Sequence, residues 1–461
     1  MEKIVSLCKR RGFIFQSSDI YGGFGSSYDF GPLGVEMKNN IKKAWWDEMI
    51  KNHENIVGLD AAILMKPEVW QASGHLTAGF ADELVECKSC HKRFKADEVK
   101  GTKCPECQGE LIPPRKFNLM MKTFVGPVED KAAVTYLRAE TCQGIYMKFE
   151  NVLQSMRMKI PFGIGQIGKA FRNEITPKDF IYRTREFEQM ELQWFCHPKT
   201  AAKYFNYWKK ERIKWYLNLG MKKENLRERE VPTKERAHYA KKQVDIEYHF
   251  PFGWQEIEGV HNRGDWDLSN HSKYSGKDLR YFDEKTKERY FPHIVETSCG
   301  VERPLFAFLC DAYTEIKGGR AKKVNFLLPP SLTLGRTKTT KATKEIEILL
   351  NLDKKIAPIK VAVLPLVRNK AELVKKAKEV YQLLKPNFAC QYDELGSIGR
   401  RYRRVDEIGC PWVITIDFDT LRDDTVTLRY RDTMKQERVK IKDLIKVLNE
   451  KLSGAKPRPL S

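Results

Sequence analysis

No apolar run in this 461-residue chain approaches the ~20 residues that a membrane-spanning helix needs. The N-terminal stretch Met1-Glu2-Lys3-Ile4-Val5-Ser6-Leu7-Cys8-Lys9-Arg10-Arg11 has too short an apolar segment for the core of a secretory signal. Cysteine is sparse: of eleven residues, seven are scattered singly. That excludes a disulfide framework and fits a reducing, cytoplasmic setting in which lone cysteines are small buried apolar residues. Internal repeats and low-complexity tracts are absent, and 41% hydrophobic content excludes the disordered and collagen-like classes. Acidic residues are in deficit, 61 against 82 Lys plus Arg, which leaves a formal charge of +21. A surplus that large points to a polyanionic partner, nucleic acid or anionic membrane, and says nothing about fold.

At ~100–200 residues per domain, the length predicts two to four domains. Residues 1–330 mix short strand-like runs with amphipathic helices. Glu36–Ile50 reads as a helix around Trp45 and Trp46. Thr200–Leu219 reads as another, with Thr200 as N-cap, Gly220 as stop, and Phe205, Trp208 and Trp215 at core spacing. Pro329-Pro330 introduces a polar, Thr- and Lys-rich stretch, residues 331–357, which is the expected linker. Beyond it, in residues 358–461, the pattern alternates: strand Val361–Leu364, helix Lys370–Leu384, strand Phe388–Tyr392, helix Gly399–Ile408, strand Trp412–Ile416. That rhythm predicts a separate small α/β domain.

Cys87-Lys88-Ser89-Cys90 and Cys104-Pro105-Glu106-Cys107 form a CxxC pair of pairs. Two thiolates on each of two tight turns supply the tetrahedral sulfur set that structural zinc prefers, predicting a zinc knuckle at about 85–110. His91 adjoins the set, but four thiolates already close it. The basic residues Lys88, Lys92, Arg93, Lys95, Lys100 and Lys103 fit a nucleic-acid contact and a solvated face equally well.

The richest stretch is Phe171-Arg172-Asn173-Glu174, a polar segment with Pro177 and Asp179, then Arg183-Thr184-Arg185-Glu186-Phe187-Glu188-Gln189-Met190-Glu191. If both flanks are strands, the middle is a hairpin loop. Alternation then puts Arg172 with Glu174 on one face, and Arg185, Phe187, Gln189 and Glu191 on one face. An arginine, an aromatic plate and a carboxylate there suit a phosphate, a purine ring and an ammonium. A salt-bridged amphipathic hairpin explains the same alternation.

These residues resemble motif 2 of the class II aminoacyl-tRNA synthetases. Gly300-Val301-Glu302-Arg303 with the apolar Pro304–Leu309 resembles motif 3, and Tyr28-Asp29-Phe30-Gly31-Pro32-Leu33-Gly34 resembles motif 1, the dimer-interface motif. Within the class, the chain resembles the homodimeric glycyl type. The carrying segments are Gly12–Phe15, Asp19–Gly23, Val57–Asp60, Ser73–His75, Arg138–Gly144, Phe252–Trp254 and Gly396–Gly409. The implied fold is α+β: an antiparallel sheet flanked by helices over 1–330, with the zinc knuckle, a helical insertion at about 198–245, and a C-terminal α/β anticodon-binding domain. The implied activity is ATP-dependent formation of glycyl-adenylate, then transfer of glycine to the 3′ end of tRNA-Gly, by a homodimer using ATP with Mg2+. A synthetase for serine, threonine or proline is the nearest rival, and the pocket acids with Phe252-Gly253-Trp254 argue against it.

The resemblance also implies roles. Arg172 and Arg303 are the catalytic arginines, on the α-phosphate with the glycine carboxylate and on the γ-phosphate. Asn173, Glu174, Tyr182, Arg183, Thr184, Arg185, Glu186 and Phe187 contribute to the ATP site. Glu256, Ile257, Gly300, Val301 and Glu302 join them, with Glu256 also near magnesium. Glycine falls to Glu140, Phe187, Glu188, Gln189, Met190 and Glu191 on one side, and to Glu296, Thr297, Ser298, Cys299 and Gly300 on the other. Glu258 reads as a surface acid, although simple alternation would aim it with Glu256. The chain departs from the family at Ala139 and Cys142, where Pro and Ala are usual, and at Thr297, where Pro is usual. All charged groups are kept. Arg400, Arg401, Arg403 and Arg404 around Tyr402 suit phosphate contacts and base stacking, or a solvated helix face.

Overall fold

The structure, a computed structural model, describes residues 1–76, 80–130, 132–175, 179–237, 239–318, 320 and 346–454. The chain falls into two compact units. The first comprises Met1, Phe15–Asp29 and Ile41–Ala307, and the second Glu2–Ile14, Phe30–Asn40 and Phe308–Ser461.

The first unit is organised by a seven-stranded sheet in the order Leu226–Glu230, Lys242–Phe250, Gly253–Gly264, His293–Gly300, Glu186–Cys196, Phe162–Phe171, Ile56–Gly58. Every described neighbour pair is antiparallel except the last, where Gly163 pairs with Ile56 in parallel. Helix Ala201–Asn218 packs on one face. Its Phe205, Trp208 and Trp215 are buried, as their spacing predicts, and Gly220 ends it at φ +88°. Phe149, Phe162 and Phe195 stack within the apolar cluster on helices Cys142–Met147 and Phe149–Ser155. Gly168 is required by close approach: a Cβ there would fall on the Arg138 guanidinium, which donates to Lys169 O and Ala61 O, each at 2.6 Å. A small three-stranded sheet, Arg93–Lys95, Ala81–Glu86, Arg115–Asn118, carries the cysteine turns.

Three expectations need correction. The helical insertion at 198–245 is helical only to Asn218; Leu226–Glu230 and Lys242–Phe250 extend the central sheet as its edge. The charged alternation Leu226-Arg227-Glu228-Arg229-Glu230 masks an edge strand that, among the described residues, bonds on one side. The helix placed at Glu36–Ile50 runs Pro32–Trp46, because Pro32 is preset for a helix's first turn. Asp47–Lys51 then winds wider, as a π turn. Residues 331–345 of the expected linker lie outside the described residues, and Ile346–Leu350 is a strand antiparallel to Tyr313–Lys317.

In the second unit the order is Cys390–Tyr392, Val361–Pro365, Trp412–Ile416, Thr425–Tyr430, Gln436–Lys440. The first three strands are parallel and the last two antiparallel to their neighbours. Helices Ala371–Leu384, Ile398–Asp406 and Leu444–Ser453 complete this α/β module around Val361, Val363, Ile414, Ile416 and Leu428. Helix Glu2–Arg11 belongs to the same unit, where Arg10 and Arg11 both reach Glu407. Arg401 is not a solvent-facing cation. It is 1% exposed and donates to the carbonyls of Pro365, at the strand end, and Leu366 just beyond it. Tyr402 donates to or accepts from Thr415 Oγ1 at 2.7 Å, and Arg404 holds Asp393. Of the basic cluster, Arg400 and Arg403 are exposed.

Candidate active site

The antiparallel register brings distant segments into rows. Glu191 lies beside Ser298, Gln193 beside Glu296, and Gln189 beside Gly300. The next strand sets Gly259 against Ser298 and His261 against Glu296. Above these rows opens a cavity of about 570 Å³.

One group of its walls is cationic and aromatic. Arg303 stands in the first turn of helix Glu302–Ala312. Its Nη1 is 3.0 Å from Glu256 Oε2, and its guanidinium lies 4.5 Å above the Tyr182 ring. Tyr182 in turn donates to Glu256 O at 3.0 Å, and burial lifts its phenol to about 12, so it stays a neutral donor. Arg172 donates from Nε to Ala139 O at 3.2 Å and lies 5.4 Å from the Phe187 ring. Thr184, Ile257, Gly300 and Glu302 also line the cavity. Glu302 accepts from Glu188 N, fixing the helix start. Arg183 lines the wall and pairs with Glu98 at 3.6 Å.

The other group is acidic. Glu140, Glu191, Glu296 and Ser298 line the cavity together, and the three carboxylates are buried. Glu296 accepts from Gln193 Nε2 at 2.8 Å and Arg263 Nη1 at 3.1 Å, with His261 Nδ1 at 2.9 Å. Burial would raise its carboxyl, but Arg263 and His261 outweigh that and hold it at about 2. Glu140 likewise overcomes its burial through His75, 3.4 Å away, and Arg263, and sits well below the usual carboxylate range. Glu191 goes the other way. Burial, with Glu296 and Glu140 nearby, raises it to about 7.

Strand geometry sorts the expected residues. Phe187, Gln189 and Glu191 face the cavity, as do Glu296 and Ser298. Between them Glu186 turns to Lys169, Glu188 to Lys42, and Met190 and Thr297 into the core, while Val301 is fully buried with its N–H on Glu188 O. These five side chains do not line the cavity. Cys299 lines it, yet its thiol points toward Met190 O, 3.8 Å away. The strand ends at Phe171, so Arg172 and Glu174 reach the cavity through a tight turn, Glu174 N to Arg172 O, rather than by alternation. Asn173 is held by Leu119 O and does not line the cavity. Arg185 also turns away: it ties Gly25 O to Glu174 O and lies over Phe24.

Glu258 is neither a surface acid nor a companion of Glu256. Glu256 opposes Glu247 and Glu258 opposes Ile246, so a β-bulge holds the extra residue Ile257. The bulge throws the two glutamates to opposite faces. Glu258 is 0% exposed on the far face, bonded to Arg212 and Tyr216. The sequence reading also missed Asp82, Glu235, Tyr239, Gln243 and His261, which line the cavity. Tyr239 and Tyr146 sandwich Arg263 at 3.5 and 5.4 Å. An arginine inside an otherwise buried strand was the available signal, since its charge demands partners.

At the knuckle, the four sulfurs lie within 4.8 Å of one another, with Cys87–Cys107 at 3.4 Å and Cys90–Cys104 at 3.7 Å. A tetrahedral ion with Zn–S of ~2.3 Å needs sulfurs about 3.8 Å apart, so the set fits zinc. The His91 side chain is exposed, 3.9 Å from Glu86. No helix among the described residues is long and apolar enough to cross a membrane.

Two family models match the chain. "tRNA synthetase class II core domain (G, H, P, S and T)" covers residues 127–312, and "Anticodon binding domain" covers 360–451. Curated proteins named "Glycine--tRNA ligase" are similar along nearly the whole length. That of Treponema denticola is 50% identical over 462 aligned positions, 99% of this chain and 98% of that protein. That of Thermobifida fusca is 48% identical over 475, covering 98% of each. That of Borreliella burgdorferi is 48% identical over 462, 99% of this chain and 98% of that protein.

Proposed function

The chain belongs to the glycine–tRNA ligase family, and from that premise we propose which of its residues perform the two half-reactions. The enzyme ligates glycine to its tRNA in two steps. The glycine carboxylate attacks the α-phosphate of ATP and expels pyrophosphate. A hydroxyl of the terminal tRNA ribose then attacks the carbonyl carbon of the adenylate and expels AMP.

An anion attacks an anion in the first step, so the site must neutralise charge that grows on phosphate oxygens. Arg172 and Arg303 do this from two sides of one cavity, and that convergence is the observation that carries the reading. Arg172 stands between the Phe187 plate and the acidic corner, where one fork can bridge the α-phosphate and the glycine carboxylate. Arg303 takes the pyrophosphate end. Phe187 stacks the adenine, and Glu174 faces its amino group. Glu256, the acid beside Arg303, would hold a magnesium ion through a hard oxygen ligand, and that ion would balance the triphosphate charge.

The acid corner accepts the ammonium of glycine. Ser298 and Gln189 hold Glu191 in place at 2.7 and 3.2 Å, and exclusion of larger amino acids by size is the discrimination this reading requires. Exchange of pyrophosphate into ATP, run with each amino acid in turn, tests this: glycine alone is expected to support it, and support by serine, threonine or proline overturns the assignment.

The cysteine set holds a structural zinc, one ion per chain. Its sheet reaches the cavity through Lys95–Asp82 at 3.0 Å and Glu98–Arg183. Cys104→Ser is therefore expected to lose zinc, read by elemental analysis, and to raise the ATP KM several-fold as Arg183 loosens. The second unit reads the anticodon, with the exposed Arg400 on the phosphate backbone. The enzyme acts in the cytoplasm as a homodimer, which a sedimentation measurement tests.

A further inference from the structure

The three pocket carboxylates differ in what faces them. Glu296 meets two fixed donors, the Arg263 guanidinium and the Gln193 amide, with the His261 ring beside them. Glu140 meets the Gln143 amide at 2.7 Å, the Cys142 thiol at 3.0 Å and the His75 ring. Among the described residues, Glu191 meets no cation within hydrogen-bond reach. Its partners are the Thr141 and Ser298 hydroxyls and the Gln189 amide. A hydroxyl can rotate to donate or to accept, so the two hydroxyls satisfy Glu191 either as carboxylate or as carboxylic acid. Glu296, facing fixed N–H groups, is satisfied only as carboxylate.

The charged and titratable groups around Glu191 come from every packed element. Glu296 and Cys299 lie on the neighbouring strand, Glu140 precedes the next helix, and Cys142 opens it. Arg138 feels the Glu191 charge, but its guanidinium is committed to Lys169 O and Ala61 O. Sγ of Cys142 and carboxylate oxygens of Glu191 and Glu296 lie within 4.8 Å of one another. With Glu140 and Glu296 ionised, a third adjacent buried charge is unfavourable until a cation arrives.

We propose that Glu191 carries a proton in the empty pocket and surrenders it to solvent when the glycine ammonium enters, so that substrate binding is coupled to release of one proton. The O–H bond of the Glu191 carboxyl breaks, the ammonium keeps all three of its protons, and the freed carboxylate becomes its counter-ion. A neutral resting pocket would thereby avoid holding metal ions or other amines in place of substrate. This rests on the reading that the acid corner binds glycine. The direction agrees with the upward shift of Glu191 to about 7. Below that pH the proton competes with the ammonium, and above it the carboxylate is already free.

The test is calorimetric titration of glycine into the full chain at pH 6, 7 and 8, in buffers of different ionisation enthalpy. Proton release is expected to approach one at pH 6 and to vanish toward pH 8. In exchange assays, kcat/KM for glycine should then fall about tenfold per pH unit below the midpoint. Buffer-independent heats at pH 6 overturn the proposal while leaving glycine recognition intact; failure to bind glycine at pH 8 defeats the underlying reading instead. Glu191→Gln should bind glycine weakly and with no proton release. Release that persists in this variant comes from another group and overturns the assignment. Should Glu191→Gln not bind measurably, Thr141→Ala is read: losing one hydroxyl partner of the carboxylate moves the midpoint upward, and an unmoved midpoint overturns the proposal.

Discussion

Arg303→Ala is expected to cut ATP–pyrophosphate exchange by ~10²–10³-fold, the scale of removing one aimed donor from a transition state. The side chain is held before any nucleotide arrives. Its backbone is in the first turn of helix Glu302–Ala312, Tyr182 supports the guanidinium plane from 4.5 Å, and Glu256 steers Nη1. A group fixed in this way loses little entropy on meeting a phosphate, which places its effect in kcat. Lysine should restore little, because an ammonium offers a point charge where a planar fork has been positioned. The glycine KM should move less than threefold, since Glu140, Glu191 and Glu296 make their hydrogen bonds without Arg303. Single-turnover adenylate formation separates the outcomes. An Arg303→Ala enzyme that keeps more than a tenth of the parental rate, with an unchanged unfolding transition, has no phosphate role at this position.

How far the site was legible depends on how regular the backbone is. Along Glu186–Cys196 strict alternation holds, so Phe187, Gln189 and Glu191 could be placed on one face by counting, with Glu186, Glu188 and Met190 on the other. Along Gly253–Gly264 counting fails. A single inserted residue, Ile257, sends Glu258 to the opposite face from Glu256, and no residue type there announces a bulge. Arg185 lies one residue before its strand begins and obeys the loop. Gln243 and His261 oppose each other on neighbouring strands and Tyr239 sits in the loop before Lys242–Phe250, a tertiary arrangement that local charge pattern conceals. Arg401 and Tyr402 were readable in principle. With Ile398 and Val405 they occupy positions i, i+3, i+4 and i+7 of one helix, the spacing of a face that packs inward. The arginine count in that segment drew attention to charge when periodicity carried the information.

Removing one partner of the Arg212–Glu258 pair should have the largest effect on stability, about 3–5 kcal/mol for Arg212→Leu or Glu258→Gln alone. Both side chains are 0% exposed, joined by Nε–Oε1 at 2.6 Å and Nη2–Oε2 at 3.2 Å. Tyr216 donates to Glu258 at 2.8 Å, and the guanidinium lies 4.4 Å from the Trp215 ring. Each single variant strands a group with no water to solvate it. The double variant Arg212→Leu with Glu258→Leu strands neither and should recover most of the loss, giving a large coupling energy in urea unfolding of the intact chain. The pair also bears on the cavity it does not touch. Glu258 anchors the strand one residue past the bulge, and Glu256, on the near side, steers Arg303. If the anchor keeps the bulge in register, the folded double variant will retain its stability yet show a raised ATP KM, because leucine can fill the space without fixing which face Glu256 takes. Equal KM in parent and double variant would mean that the bulge is held by its backbone pairing alone.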